Sequence, residues 1–160
     1  MRSRLLAVFL LLITLGSDRI TKHLARTLLA DAPVQSFFFD TLRLQYAENT
    51  GAFLSLGANL PPAVRTWLLT VGVAVLLVIV AILAIVRRWS GMSLAGATLM
   101  WAGGVSNLID RALHGHVVDF LNVGIGSLRT GIFNVADVAV TLGAIFIVFG
   151  DVNSARKDAE

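Results

Sequence analysis

The run from Ala63 to Val86 constrains this chain more than any other feature: it is almost wholly apolar over a length that can cross a bilayer. A helix needs roughly 20 apolar residues to span the hydrocarbon core. Pro61 and Pro62 stand just before the run, where a helix start tolerates proline. Trp67 and Trp89 lie near its two ends, as interfacial aromatics do. Three further apolar stretches predict helices over about 4–29, 92–109 and 132–150. The chain is 56% hydrophobic and only 14% charged, whereas soluble domains carry about 25% charged residues. The expectation is an all-α membrane bundle of four transmembrane helices, one integral membrane domain over 1–160.

The first stretch has the basic start and short apolar core of a signal peptide. No small-x-small cleavage signal follows, and the helical pattern continues through Ile20, Leu24 and Leu28, so one helix is expected instead. The net charge of +3 does not point to nucleic acid. Arg2 and Arg4, Arg87 and Arg88, and Arg156 and Lys157 flank apolar stretches rather than forming a run. Four spans put both termini on one side with these cations, and the positive-inside rule makes that side cytoplasmic. There is no cysteine, which excludes thiol nucleophiles and thiolate metal sites.

Two outer connections remain, 31–61 and 110–131. Thr41-Leu42-Arg43-Leu44-Gln45-Tyr46 alternates as a half-buried strand does, and Asn49-Thr50-Gly51 supplies a turn. A small extracytoplasmic sheet lying on the membrane is expected there. The second connection, polar and glycine-rich, is expected to be a loop.

The informative residues are polar ones at membrane depth, because a charge at the bilayer centre costs at least ~2.5 kcal/mol and marks a functional candidate. Asp137 lies inside the last apolar stretch, with Asn134 three residues before it, and Asp119 interrupts the β-like Val117-Val118-Asp119-Phe120. The bland reading of each is a partner for a buried arginine or a carboxylate at the water line. Two carboxylates sharing a low-dielectric site share a proton. One can then activate a water while the other polarises an amide carbonyl. Asn107, Asp110 and Arg111 share a helix-end face, and Asp18 and Lys22 have ion-pair spacing; both groups read first as structural. No H-E-x-x-H motif joins His23, His114 and His116, so a zinc protease is not indicated. Ser106 in Gly104-Val105-Ser106-Asn107 lacks the closing glycine of a nucleophile elbow. A proton-coupled carrier built on Asp137 is the rival class.

Asp18-x-x-x-Lys22, Asn49-Thr50-Gly51, Asn107-Leu108-Ile109-Asp110-Arg111, Val118-Asp119-Phe120 and Phe133-Asn134-Val135-Ala136-Asp137 follow in one order along the chain. Order and spacing resemble those of lipoprotein signal peptidase, or signal peptidase II, over nearly the whole length. The resemblance implies an aspartic endopeptidase of the bacterial inner membrane, active toward the outer leaflet. It would cleave diacylglyceryl-modified prolipoproteins just before the lipidated Cys. It implies Asp119 and Asp137 as the catalytic pair. Asn49, Gly51, Asn107, Asp110, Arg111 and Asn134 would shape the site, with Asp18 and Lys22 as the first-helix motif. It further implies a strand-built cradle, contact with membrane lipid, inhibition by the cyclic peptide globomycin and no metal or cofactor; a monomer is expected. Arg19 stands where the family usually has Gln, Ser106 where Gly is usual, Phe53 and Leu54 where Ala and Phe are more frequent, and Val138 where Ser is frequent. The segment 52–57, flanked by glycines and beside the expected site, is expected to be mobile.

Overall fold

The computed structural model describes residues 2–51, 61–89 and 91–157. The chain begins with helix α1 (Arg2–Leu29), followed by strands β1 (Gln35–Phe37) and β2 (Leu42–Asn49). Helix α2 (Pro62–Thr66), a π-helical stretch (Trp67–Gly72) and α3 (Val73–Val86) run on as one helical rod. Helix α4 (Gly91–His114), strands β3 (Val117–Ile125) and β4 (Leu128–Arg129), and α5 (Val135–Lys157) complete it. Among the described residues this gives four long helical rods and one small sheet. By length and composition Ala63–Val86 can cross a membrane, and Val135–Gly150 is a shorter apolar helix. In α1 the apolar run is broken by Asp18, Arg19 and Lys22, and in α4 by glycines and by Ser106 and Asn107.

Glycine lets α4 and α5 approach closely. A Cβ on Gly143 would lie 2.6 Å from the Gly96 carbonyl oxygen, and one on Gly96 would lie 2.6 Å from that of Gly143. A Cβ on Gly103 would run into the carbonyl of Ala136, at the first turn of α5. Small residues at such contacts allow backbone-to-backbone packing between helices in lipid. This fixes the start of α5 against the middle of α4.

The sheet is antiparallel in the order β1-β2-β3-β4. Leu44 pairs with Leu121 and Ala47 with Asp119, with a register shift between them. Val118 and Phe120 are buried against Ala25 and Leu29 of α1, so apolar neighbours on either side of Asp119 anchor its strand to the bundle. The ends of α1 and α4 and the start of α5 therefore meet the sheet at one end of the bundle.

Several boundaries differ from the sequence reading. Helix α4 continues to His114, past the expected end at Ile109, because Asn107 and Asp110 are buried inside the bundle. Gly115, with φ +77°, ends it in the left-handed conformation that glycine adopts freely. Helix α5 starts at Val135 rather than 132, since Phe133 is held in extended pairing with Leu121, and it runs on to Lys157, past the expected end at 150. The connection 110–131 is not a plain loop: it carries β3 and β4.

Candidate active site

Asp119 points from β3 toward the start of α5. Its Oδ2 accepts from Asn49 Nδ2 (2.8 Å) and its Oδ1 from Asn134 Nδ2 (2.6 Å). Asn49 closes β2, and its Oδ1 accepts the Gly51 backbone N–H at 2.9 Å, which fixes which way its amide faces. Asp119 is buried, and burial pushes its carboxyl up to about 6; the charge of Asp137 adds to the shift, while the bonds from Asn49 and Asn134 oppose it.

Asp137 occupies the first turn of α5. Its Oδ2 accepts the Asn134 backbone N–H (3.2 Å), and its Oδ1 accepts from Asn107 Nδ2 (2.9 Å). Asn134 in turn accepts the Asp137 backbone N–H through its side-chain oxygen at 2.9 Å. The two residues form a reciprocal capping box at the helix start. One asparagine thus touches both acids: Asn134 donates to Asp119 from its side chain and to Asp137 from its backbone. Each of the four carboxyl oxygens accepts at least one N–H. The spacing of Asn134 and Asp137 suggests a shared helical face; the structure instead places Asn134 just before the helix, as its cap.

Behind the two acids lies a buried ionic cluster. Lys22 Nζ donates to Asn107 Oδ1 (2.7 Å) and forms ion pairs with Asp18 Oδ2 and Asp110 Oδ2, each at 2.8 Å. Asp18 also accepts the Ala136 backbone N–H at 2.8 Å, satisfying a second free donor at the start of α5. Asp18 and Asp110 are 0% exposed and Lys22 is 2% exposed. Charges so deep persist only when paired and hydrogen-bonded. Arg111 donates from Nη2 to the Gly51 carbonyl (2.7 Å), and its buried Nε has no partner among the described residues.

The structure therefore brings Asn49, Gly51, Asn107, Asp110, Arg111, Asn134, Asp18 and Lys22 around Asp119 and Asp137. Asp110 pairs with Arg19 and Lys22 rather than with its neighbour Arg111. Arg19 and Ser106, both departures from the family pattern, meet in space: Arg19 Nε and Nη2 donate to Ser106 Oγ at 3.1 and 3.0 Å. The Ser106 hydroxyl donates to Asp18 Oδ2 (2.6 Å), so a carboxylate, not a histidine, is its acceptor. Nothing in sequence spacing links positions 87 residues apart. Val138 is exposed on α5. Phe53, Leu54 and the segment 52–57 lie outside the described residues. Among the described residues no three His, Asp or Glu side chains are grouped to hold a metal ion.

The Signal peptidase (SPase) II family profile matches residues 10–152 of this chain. The lipoprotein signal peptidase of Chlorobaculum tepidum is 39% identical over 153 residues, covering 89% of this chain and 91% of that protein. That of Francisella tularensis subsp. novicida is 30% identical over 162 residues, covering 98% of each. A solved bacterial membrane enzyme superposes with a TM-score of 0.77 at 25% identity, covering 96% of this chain and 89% of that one.

Proposed function

The chain belongs to the signal peptidase II family, and we propose that, as a membrane protease of that family, it removes prolipoprotein signal peptides through Asp119 and Asp137. The observation that carries the aspartic reading is the single hydrogen-bonded unit that joins both carboxyls through Asn134. Membership of a protease family sets the carrier alternative aside.

The chemistry follows from two buried acids sharing a proton. The ionised carboxylate takes a proton from a water as its oxygen attacks the scissile carbonyl carbon. The protonated partner hydrogen-bonds the carbonyl oxygen, then gives its proton to the leaving nitrogen as the C–N bond breaks. Asn49, Asn107 and Asn134 hold the carboxyls by hydrogen bonds and so orient them for this chemistry. The unpartnered Nε of Arg111 supplies a donor for a substrate carbonyl.

The four helical rods are read as four membrane spans. The charges in α1 and α4 are compatible with lipid because they are paired with one another inside the bundle. Both acids lie at the end of the bundle remote from Arg2 and Arg87, so a cytoplasmic terminal side places the site toward the outer leaflet of the inner membrane. An apolar groove of about 300 Å³ between α1 and the sheet, bordered by Leu24, Leu28, Leu44 and Phe120, suits an acyl chain of a diacylglyceryl group. At the β1–β2 tip Phe38 and Phe39 are 76% and 107% exposed, as aromatics at a lipid–water interface are. The site is assembled within one chain, so a monomer suffices.

Cleavage of a diacylglyceryl-modified prolipoprotein by the purified protein, compared with the unmodified precursor, tests this reading. Release of the signal peptide just before the lipidated Cys, blocked by globomycin, is expected. Equal cleavage of both precursors would remove the lipid from the recognition account.

A further inference from the structure

Asp18 and Asp110 put two negative charges beside a single buried lysine. Lys22 lies 2.8 Å from one oxygen of each carboxylate and gives a hydrogen bond to the Asn107 oxygen, so its single charge faces two acids. The second cation of the cluster is Arg19, whose Nη1 lies 2.7 Å from Asp110 Oδ1. Its Nε and Nη2 close on Ser106 Oγ, and Nη2 also donates to the Ser106 backbone carbonyl. The Ser106 hydroxyl is 0% exposed and fully used: it accepts twice from Arg19 and donates once to Asp18. Arginine and serine together complete the coordination that Lys22 cannot supply.

We propose that Arg19 and Ser106 are positioning residues for catalysis, clamped to each other across the α1–α4 contact so that Asp18 and Lys22 hold Asp137 in place. Two paths lead from the clamp to the acid. Lys22 fixes the oxygen of Asn107, which turns the Asn107 amide nitrogen toward Asp137 Oδ1. Asp18 fixes the Ala136 N–H, the residue immediately before Asp137. Without the hydroxyl, Asp18 Oδ2 keeps only Lys22, and the ammonium shifts toward that carboxylate and away from Asn107. The amide is then free to turn, and a small misplacement of a catalytic group is costly in rate. Neither Arg19 nor Ser106 touches the reacting atoms. The inference rests on Asp137 being one of the catalytic pair.

The test is a kinetic comparison of Ser106→Ala, Arg19→Gln, Arg19→Lys and the Ser106→Ala/Arg19→Gln double variant, with melting temperatures measured in detergent. Ser106→Ala and Arg19→Gln are each expected to lower kcat about tenfold or more while KM stays within about twofold. Arg19→Lys keeps the charge on Asp110 and is expected to recover part of kcat. The double variant is expected to be no worse than the poorer single one, because residues acting as a unit are not additive. Wild-type kcat per folded molecule in Ser106→Ala and Arg19→Gln, whatever their melting temperatures, overturns the inference. Independent losses that multiply in the double variant overturn the clamp. Should Asp137→Asn itself retain full turnover, the dyad reading falls as well, which separates the two failures.

Discussion

Asn134 and Asp137 cap each other: the asparagine side chain accepts the Asp137 N–H at 2.9 Å, and the aspartate accepts the Asn134 N–H at 3.2 Å. A motif that ordinarily satisfies free donors at a helix start here orients a carboxyl proposed to be catalytic. The remaining amide nitrogen of Asn134 reaches Asp119 at 2.6 Å. One side chain therefore sets the helix start and couples the two acids.

These two duties can be separated by substitution. Serine caps helices about as well as asparagine, but it has no amide to reach Asp119. Asn134→Ser is expected to keep the cap, to cost about 1–3 kcal/mol for the Asp119 oxygen left unpaired, and to lower kcat about a hundredfold. Asn134→Ala is expected to lose the cap as well, with about 1 kcal/mol more of stability. Denaturation in detergent alongside single-turnover cleavage checks this, and full activity in the serine variant would count against the coupling role.

Burial raises the Asp119 carboxyl from 3.8 to about 6, and this has a consequence for stability. An acid whose folded value is raised holds its proton more tightly in the native state than in the unfolded one. Its contribution is fully present below the unfolded value and is lost as pH rises through about 6. Over that window the loss amounts to about 3 kcal/mol. Unfolding free energy measured from pH 4 to 7 should show a steeper decline in the wild type than in Asp119→Asn. An unchanged slope in the variant would contradict the assignment.

The glycine contacts between α4 and α5 link packing to the site. A methyl at Gly103 pushes on Ala136, one residue before Asp137. Gly103→Ala is therefore expected to reduce cleavage about tenfold or more by displacing the first turn of α5. Gly143→Ala, which meets the Gly96 carbonyl oxygen at 2.6 Å, is expected to lower stability by about 1–3 kcal/mol. A Cβ at Gly16 meets nothing within 4 Å, so Gly16→Ala should be neutral or slightly stabilising. Comparable melting temperatures for all three would contradict the close-packing account.

Much of the site was legible because its residues violate their surroundings. Asp18, Lys22, Asp110 and Asp137 are charges in apolar helices, and such charges invite partners. The strand through Leu42 and Leu44 was legible from its alternation. The pairing of Asp110 with Arg19 and Lys22 was not, since it joins side chains about 90 positions apart whose meeting depends on how α1 crosses α4. The length of α4 is not legible in the sequence, because its last turns are polar yet carry buried Asn107 and Asp110, and composition alone reads them as loop. The α4–α5 glycines repeat at seven-residue intervals, Gly96 to Gly103 and Gly143 to Gly150. That signal was present in the sequence, but only the helix partner gives it meaning.

The central claim, that Asp119 and Asp137 act as one catalytic pair, is tested most directly by single-turnover cleavage of a diacylglyceryl-modified prolipoprotein. The wild type would be compared with Asp119→Asn, Asp137→Asn and the double variant, each shown to be folded by its melting transition in detergent. The account predicts that each single variant loses at least about a thousandfold in rate and that the double variant is no slower than either. Turnover within about tenfold of wild type in either folded single variant would contradict it.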